Sequence, residues 1–253
     1  MIQLAFFSDL FEAATTTKVA PVASRVSSWL APLVYFLGRR FVLPSFFRRI
    51  SVTGQENLPT SGPVILAPTH RSRWDALLIP ATTGRGVTGR DLRFMVSIDE
   101  VKGIQGWFIR RLGGFPIDTK HPAITTLRHG VILLQEGEML VIFPEGNIYR
   151  DGFIHALKPG LARLALSAES SHLGLGIKIV PISISYSQSV PHWGCDVQIR
   201  ISPPLQVADY CTSSVKQNAK QLTADLEAVL KLSIQTTLEP SNHVDVHTAQ
   251  PLQ

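Results

Sequence analysis

The sequence predicts an α/β fold: a mostly parallel central sheet flanked by helices, with an N-terminal amphipathic helical region ahead of it. Two observations carry this. From about residue 50 onward, short apolar runs alternate with stretches of helical periodicity, as βαβ units require. The runs read as buried strands, which suits a sheet covered on both faces. At 253 residues the chain is long enough for one such domain with a large core and short flanking pieces.

The elements follow in order. Residues 1–24 have weak periodicity and a Thr-rich patch, and are expected to be loosely ordered or to lie on the surface. In residues 29–49, Leu30, Leu33, Val34, Leu37 and Phe41 recur at helical spacing, with Arg39, Arg40, Arg48 and Arg49 toward the far end. Pro32 and Pro44 are expected to divide this region into short helical pieces. Strands are expected at 63–67 (PVILA), 93–98, 114–117, 139–143 (MLVIF), 177–184 and 197–201. Helical patterns occupy 74–80, 104–112, 124–136 and 159–168, and an apolar stripe from Val215 to Leu230 marks a further helix. After Pro240 the composition turns polar. The organisation read from this is a helical membrane-associating region at 1–49, one catalytic domain at 50–239 and a flexible tail at 240–253.

Composition narrows the surroundings. Apolar residues make up 45% of the chain and charged residues 17%, against the roughly 25% charged of an ordinary soluble domain. Yet no stretch approaches the roughly 20 apolar residues that span a bilayer. Residues 1–24 also lack the basic start of a secretory signal peptide. A protein lying on a membrane without crossing it is expected, with Trp29, Tyr35, Phe46 and Phe47 suited to the head-group layer. The same stripe also suits a helix packed on the domain. The formal net charge of +5 attracts anionic lipid or nucleic acid alike, but no basic, aromatic-interleaved sheet pattern speaks for nucleic acid. Cys195 and Cys211 have no metal or redox spacing and fit a reducing compartment, hence the cytoplasmic face.

Four segments carry chemistry. Thr69-His70-Arg71-Ser72-Arg73-Trp74-Asp75 follows the strand PVILA, where α/β sheets place their sites. On a continuous helix, residues five apart sit about 140° from each other, so His70 and Asp75 meet only if His70 lies in a loop and Asp75 in the first turn after it. A carboxylate accepting the Nδ1–H would leave Nε2 as a base. The remaining histidines read as surface or satisfied structural groups. Phe143-Pro144-Glu145-Gly146-Asn147 follows the strand MLVIF; Gly146 permits a tight turn and Glu145 is expected to hydrogen-bond hydroxyls. Gly113-Gly114-Phe115-Pro116-Ile117-Asp118-Thr119-Lys120 offers a point charge at Lys120. Val180-Pro181-Ile182-Ser183 puts a proline in a strand, which predicts an edge, a bulge or a strand end.

In this order the four segments, with Lys158-Pro159-Gly160 after the third, resemble the glycerolipid acyltransferase family that contains the 1-acyl-glycerol-3-phosphate acyltransferases. The resemblance covers roughly residues 50–205 and rests on His-x4-Asp together with Phe-Pro-Glu-Gly. It implies that His70 deprotonates an acceptor hydroxyl, which attacks an acyl thioester directly, and that Asp75 orients His70. It implies that Lys120, Glu145, Gly146, Asn147, Arg150 and Lys158 hold the acceptor, and, with no acyl-enzyme intermediate, that Ser72 need not be a nucleophile. The donor implied is acyl-CoA or acyl-carrier protein and the acceptor a lysophospholipid, lysophosphatidic acid by default; neither metal nor bound cofactor is expected. Two positions depart from the family: Thr119 and Ile148 stand where arginines are usual, which leaves open a different, even phosphate-free, acceptor. A non-catalytic lipid-binding protein of the same fold is the alternative those departures allow. A hydrolase lacks support, because no Gly-x-Ser-x-Gly elbow is present.

Overall fold

The computed structural model describes residues 24–118, 123–172 and 174–238. Helix α1 (Leu30–Leu37) continues through a π-helical turn (Gly38–Val42) into the short α2 (Leu43–Phe46). Pro32 sits in the first turn of α1, where its missing N–H is not needed. Before Pro44 the helix widens, the Leu43 N–H reaching back to the Gly38 carbonyl. The region is therefore divided once, ahead of Pro44, and Pro32 opens a helix instead of splitting one. It ends at Phe46, and Arg49 already pairs with Asp196 in the sheet.

The remaining elements are β1 (Arg49–Thr53), β2 (Val64–Pro68), α3 (Asp75–Thr83), α4 (Arg85–Thr88), β3 (Leu92–Ser97), α5 (Gly103–Arg111), β4 (Gly114–Ile117) and α6 (Ile124–Gln135). Then come β5 (Met139–Val141), α7 (Gly160–Ser171), β6 (Lys178–Tyr186), β7 (Asp196–Ile201), β8 (Leu205–Gln206) and α8 (Val215–Leu238). The strands form one sheet in the order β1-β7-β6-β2-β5-β3-β4, with β8 against β6. Pairings are parallel except those of β6 with β7 and with β8.

Strand β2 lies at the centre and is buried along its whole length. Its side chains alternate between two cores. Val64 and Leu66 pack with Leu43, Phe47, Leu78 and Ile79 under α2 and α3. Ile65 and Ala67 pack with Leu134, Leu161, Leu164 and Leu222 under α6, α7 and α8. Each such aliphatic side chain contributes about 1.5–3 kcal/mol when fully buried, so both faces hold the C-terminal end of β2 rigidly.

The structure differs from expectation in two strands and one helix. Strands β1 and β8 were not legible: β1 carries Arg49, Ser51 and Thr53 at a sheet edge, and β8 has 2 residues. Helix α3 runs through Pro80 to Thr83 instead of ending there. Of the three settings expected for Pro181, the structure shows the bulge: it stands mid-way along β6, paired with Ala67 of β2, and on its other flank the register shifts by one residue, Ile182 pairing with Ile201 but Ile179 with Leu205. The Pro181 carbonyl faces that flank, where it accepts the Ser202 N–H at 2.9 Å. That flank falls between the β7 ladder, which ends at Ile182, and the β8 ladder, which ends at Ile179. A missing N–H there costs no ladder bond. The expected loose N-terminus and the tail from residue 240 lie outside the described residues.

Candidate active site

The parallel strands β2, β5, β3 and β4 end at a cleft of about 1910 Å³. Thr69 extends β2 by one residue: its N–H donates to the Ile182 carbonyl at 2.9 Å and its hydroxyl accepts the Ile184 N–H at 2.9 Å. His70 is thereby the first residue freed from the sheet. Asp75 opens α3, and the turn between them brings His70 Nδ1 to 2.9 Å from Asp75 Oδ2. A carboxylate only accepts, so Nδ1 carries the proton and Nε2 is left with its lone pair. Nε2 makes no hydrogen bond among the described residues, and the ring, 20% exposed, lines the cleft. Phe143 stacks beneath the imidazole, with ring centroids 4.1 Å apart.

Asp75 is fully buried and held by four donors. Besides His70, Oδ2 accepts the N–H groups of Arg71 at 2.7 Å and Ser72 at 2.8 Å, and Oδ1 accepts the Tyr186 hydroxyl at 2.6 Å. Burial, and then the neighbouring Asp75 carboxylate, push the Tyr186 phenol far above its ordinary value, so it stays a donor throughout the working pH range. Tyr186 had no place in the sequence reading, which ended the strand at residue 184; the signal available was a phenol two residues further along a strand beside PVILA. Tyr186→Phe is expected to lower kcat about tenfold with both KM values unchanged. Steady-state kinetics with near-UV circular dichroism check it, and an unchanged kcat would show that the hydroxyl does not set the Asp75 orientation.

A second buried pair joins the two loops. Arg71 Nη1 lies 3.0 Å from Glu145 Oε2 and 3.1 Å from Oε1, and both side chains are buried. Glu145 also accepts the N–H of His70 at 3.1 Å and of His155 at 3.0 Å. The Tyr149 N–H donates to the His70 carbonyl at 2.9 Å, and Arg71 reaches the carbonyls of Tyr149 and Phe153 at 3.3 and 3.0 Å. The expected contact of Glu145 with a substrate hydroxyl does not fit this geometry. Its oxygens are filled by protein donors and it is absent from the cleft wall. Arg71 was its missing partner, and the signal was chemical: a buried carboxylate needs a cation.

The other expected residues divide. Gly146 and Asn147 line the cleft, as does Lys158, whose chain crosses Gly146 so closely that an added Cβ would sit 2.6 Å from Nζ. At φ +71 Gly146 also holds a backbone conformation that a side chain disfavours. The Lys158 N–H is anchored on the Pro144 carbonyl at 2.8 Å. Arg150 is exposed and does not line the cleft. Thr119 and Lys120 lie outside the described residues. Among the remaining histidines, His129 is half-buried against Ser24 and Phe115, and burial followed by nearby Arg93 pulls it below the usual imidazole value. His155 bonds Asp151 at 2.7 Å and stacks on Tyr149.

Much of the cleft wall is apolar, although Arg128, Arg163 and Lys216 also line it. Val34 and Tyr35 of α1, Leu77, Pro80 and Ala81 of α3, and Phe94, Ile109 and Leu112 give it walls suited to a hydrocarbon chain.

The described residues thus place a fixed His-Asp pair at the end of a parallel sheet, beside a largely apolar cleft. The family model described as Acyltransferase matches residues 49–185, and the chain belongs to that family. It is 30% identical over 100 residues to a 1-acyl-sn-glycerol-3-phosphate acyltransferase of Bacillus subtilis, covering 39% of this chain and 48% of that protein. It is 27% identical over 188 residues to the mitochondrial glycerol-3-phosphate acyltransferase 1 of Homo sapiens, covering 68% of this chain and 22% of that protein. The chain thus spans about half of the first relative's length and far less of the second's. The crystal structure of the 1-acyl-sn-glycerophosphate acyltransferase PlsC from Thermotoga maritima shares the fold, with a TM-score of 0.64 at 22% identity over 84% of this chain and 81% of that one.

Proposed function

We propose that the protein transfers a fatty-acyl group from acyl-CoA or acyl-carrier protein to the hydroxyl of a lysophospholipid, lysophosphatidic acid first among them. The observation that carries this is His70, with Nδ1 bound to Asp75 and Nε2 open to an apolar cleft. Nε2 takes the acceptor's hydroxyl proton as the oxygen attacks the thioester carbonyl. The new C–O bond forms, the C–S bond breaks, and the proton passes from His70 to the leaving thiolate. Asp75 fixes the tautomer and balances the imidazolium. Arg71 and Glu145 act as positioning residues by clamping the His70 backbone. Relatives named for acylation of 1-acyl-glycerol-3-phosphate support this acceptor.

With arginine absent at 119 and 148, Lys158, which lines the cleft and crosses Gly146 of the same loop, is the cation proposed to meet the acceptor phosphate, ahead of Arg73, Arg128, Arg163 and Lys216 elsewhere on the wall. Lys158→Ala is expected to raise the acceptor KM about tenfold at nearly constant kcat; an unchanged KM in initial-rate assays would move the phosphate site elsewhere. The same departures support a second reading, acylation of a different acceptor. Thiol release from acyl-CoA and acyl-carrier protein, with lysophosphatidic acid, glycerol 3-phosphate and other lysophospholipids offered in turn, tests both. Release with lysophosphatidic acid supports the first reading; release only with another acceptor supports the second; no release with any acceptor refutes both.

A position at the cytoplasmic face of a membrane completes the proposal. Among the described residues no helix is long and apolar enough to cross one. Trp29, Leu33, Phe36, Leu37 and Phe41 are exposed on the α1 region, beside Arg39 and Arg40, which supports surface attachment.

A further inference from the structure

Helix α5 is turned the wrong way round for a helix packed on a soluble domain. Gln105, Ile109 and, just past its end, Leu112 recur at i, i+4 and i+7 and line the cleft. Ile104, Trp107 and Phe108 recur at i, i+3 and i+4 and face outward, 80%, 41% and 41% exposed. Ile98, in the turn ahead of α5, adds a further exposed apolar side chain. Single exposed apolar residues are ordinary, but a contiguous stripe on one short helix marks a contact surface.

Two observations say what covers it. At its C-terminal end the stripe is edged by cations: Arg110 and Arg111 are exposed, and the Arg111 guanidinium lies over the Trp107 ring at 4.1 Å, while at its start Lys102 is paired with Asp99 at 3.2 Å. A second copy of the chain would set these charges against their own kind, whereas an anionic surface complements them. The stripe also adjoins the exposed face of α1. The Ser27 N–H donates to the Arg111 carbonyl at 2.8 Å, and Val26 bridges to Leu112, so the start of α1 is stitched to the end of α5. Val34 and Tyr35 of α1 line the cleft from their side as Gln105 and Ile109 of α5 do from theirs.

We infer that α5 is a second membrane-contacting element, whose Ile104–Trp107–Phe108 face enters the head-group layer of an anionic bilayer beside α1. The cleft then opens toward the bilayer between two apolar ridges, and an amphiphile reaches His70 without crossing water. This last consequence rests on the proposed acyl transfer; the membrane contact does not.

The test is a double variant, Ile104→Ser with Trp107→Ser, at two exposed positions off the cleft wall. Co-sedimentation with phosphatidylcholine vesicles, with and without phosphatidylglycerol, is compared with the wild-type chain. The partition coefficient is expected to fall at least about tenfold. Arg110→Glu with Arg111→Glu is expected to abolish only the part that depends on phosphatidylglycerol. Acylation of a short-chain, water-soluble acceptor stays at the wild-type rate in the double variant, while acylation of a vesicle-embedded acceptor falls with binding. Unchanged vesicle binding by the double variant overturns the inference, as does loss of a self-associated species on gel filtration with vesicle binding intact. If the wild-type chain acylates neither acceptor, the proposed activity fails, and the sedimentation comparison still decides the membrane contact.

Discussion

Replacing His70 by Ala is expected to lower acyl transfer by about 10²–10⁴-fold, the usual contribution of a positioned general base. The argument is geometric. His70 leaves the sheet at Thr69, its backbone is held at N–H by Glu145 and at C=O by Tyr149, and Asp75 fixes its ring. Only Nε2 then faces the cleft. The fold is expected to survive, because Asp75 keeps the Arg71 and Ser72 amides and the Tyr186 hydroxyl as donors without the imidazole. Rates measured on purified protein with an unchanged thermal midpoint isolate the chemical effect. Retained turnover in that variant would rule out the base.

The second large effect falls on stability. Glu145→Gln keeps the side-chain volume but leaves the Arg71 guanidinium, 5% exposed, without its counter-charge. It also turns an amide NH₂ toward groups that all donate: the His70 and His155 N–H and Arg71 Nη1. Breaking a buried pair in this way costs about 3–5 kcal/mol, a large share of the roughly 5–15 kcal/mol that holds a domain folded. Urea unfolding measures it. Because the single variant is expected to be marginal, Arg71→Met with Glu145→Leu is the companion. Removing both charges restores stability toward wild type while leaving the His70 loop unclamped, so kcat stays low. A cost below about 1 kcal/mol for Glu145→Gln would show that the pair does not hold the loops together.

The core strands and the His70–Asp75 encounter were legible because they follow from local rules. An apolar run between helical patterns is a buried strand, and five residues across a strand-loop-helix junction bring two side chains together. Partners distant in sequence were not legible. Tyr186 reaches Asp75 across 111 residues and Arg71 reaches Glu145 across 74, and only the β2–β6 and β2–β5 pairings bring them close. That is why Glu145 read as a substrate ligand: without its neighbours an acid after a Pro in a turn looks solvated. Pro181 did mark an irregularity of pairing, the bulge between β7 and β8, but which strands flank it is a property of the sheet and was not legible. The outward face of α5 escaped notice because periodicity gives the stripe but not the side on which the domain lies.

The central claim, that an external hydroxyl deprotonated by His70 takes the acyl group directly from the thioester, is tested most directly by incubating the protein with acyl-CoA labelled in its acyl chain. Thiol release and protein-bound label are followed before and after a lysophospholipid is added. The account predicts no label on the protein, negligible thiol release before addition, and afterwards one thiol released for each ester formed. Label trapped on the chain, or fatty acid released to water without an acceptor, would contradict it.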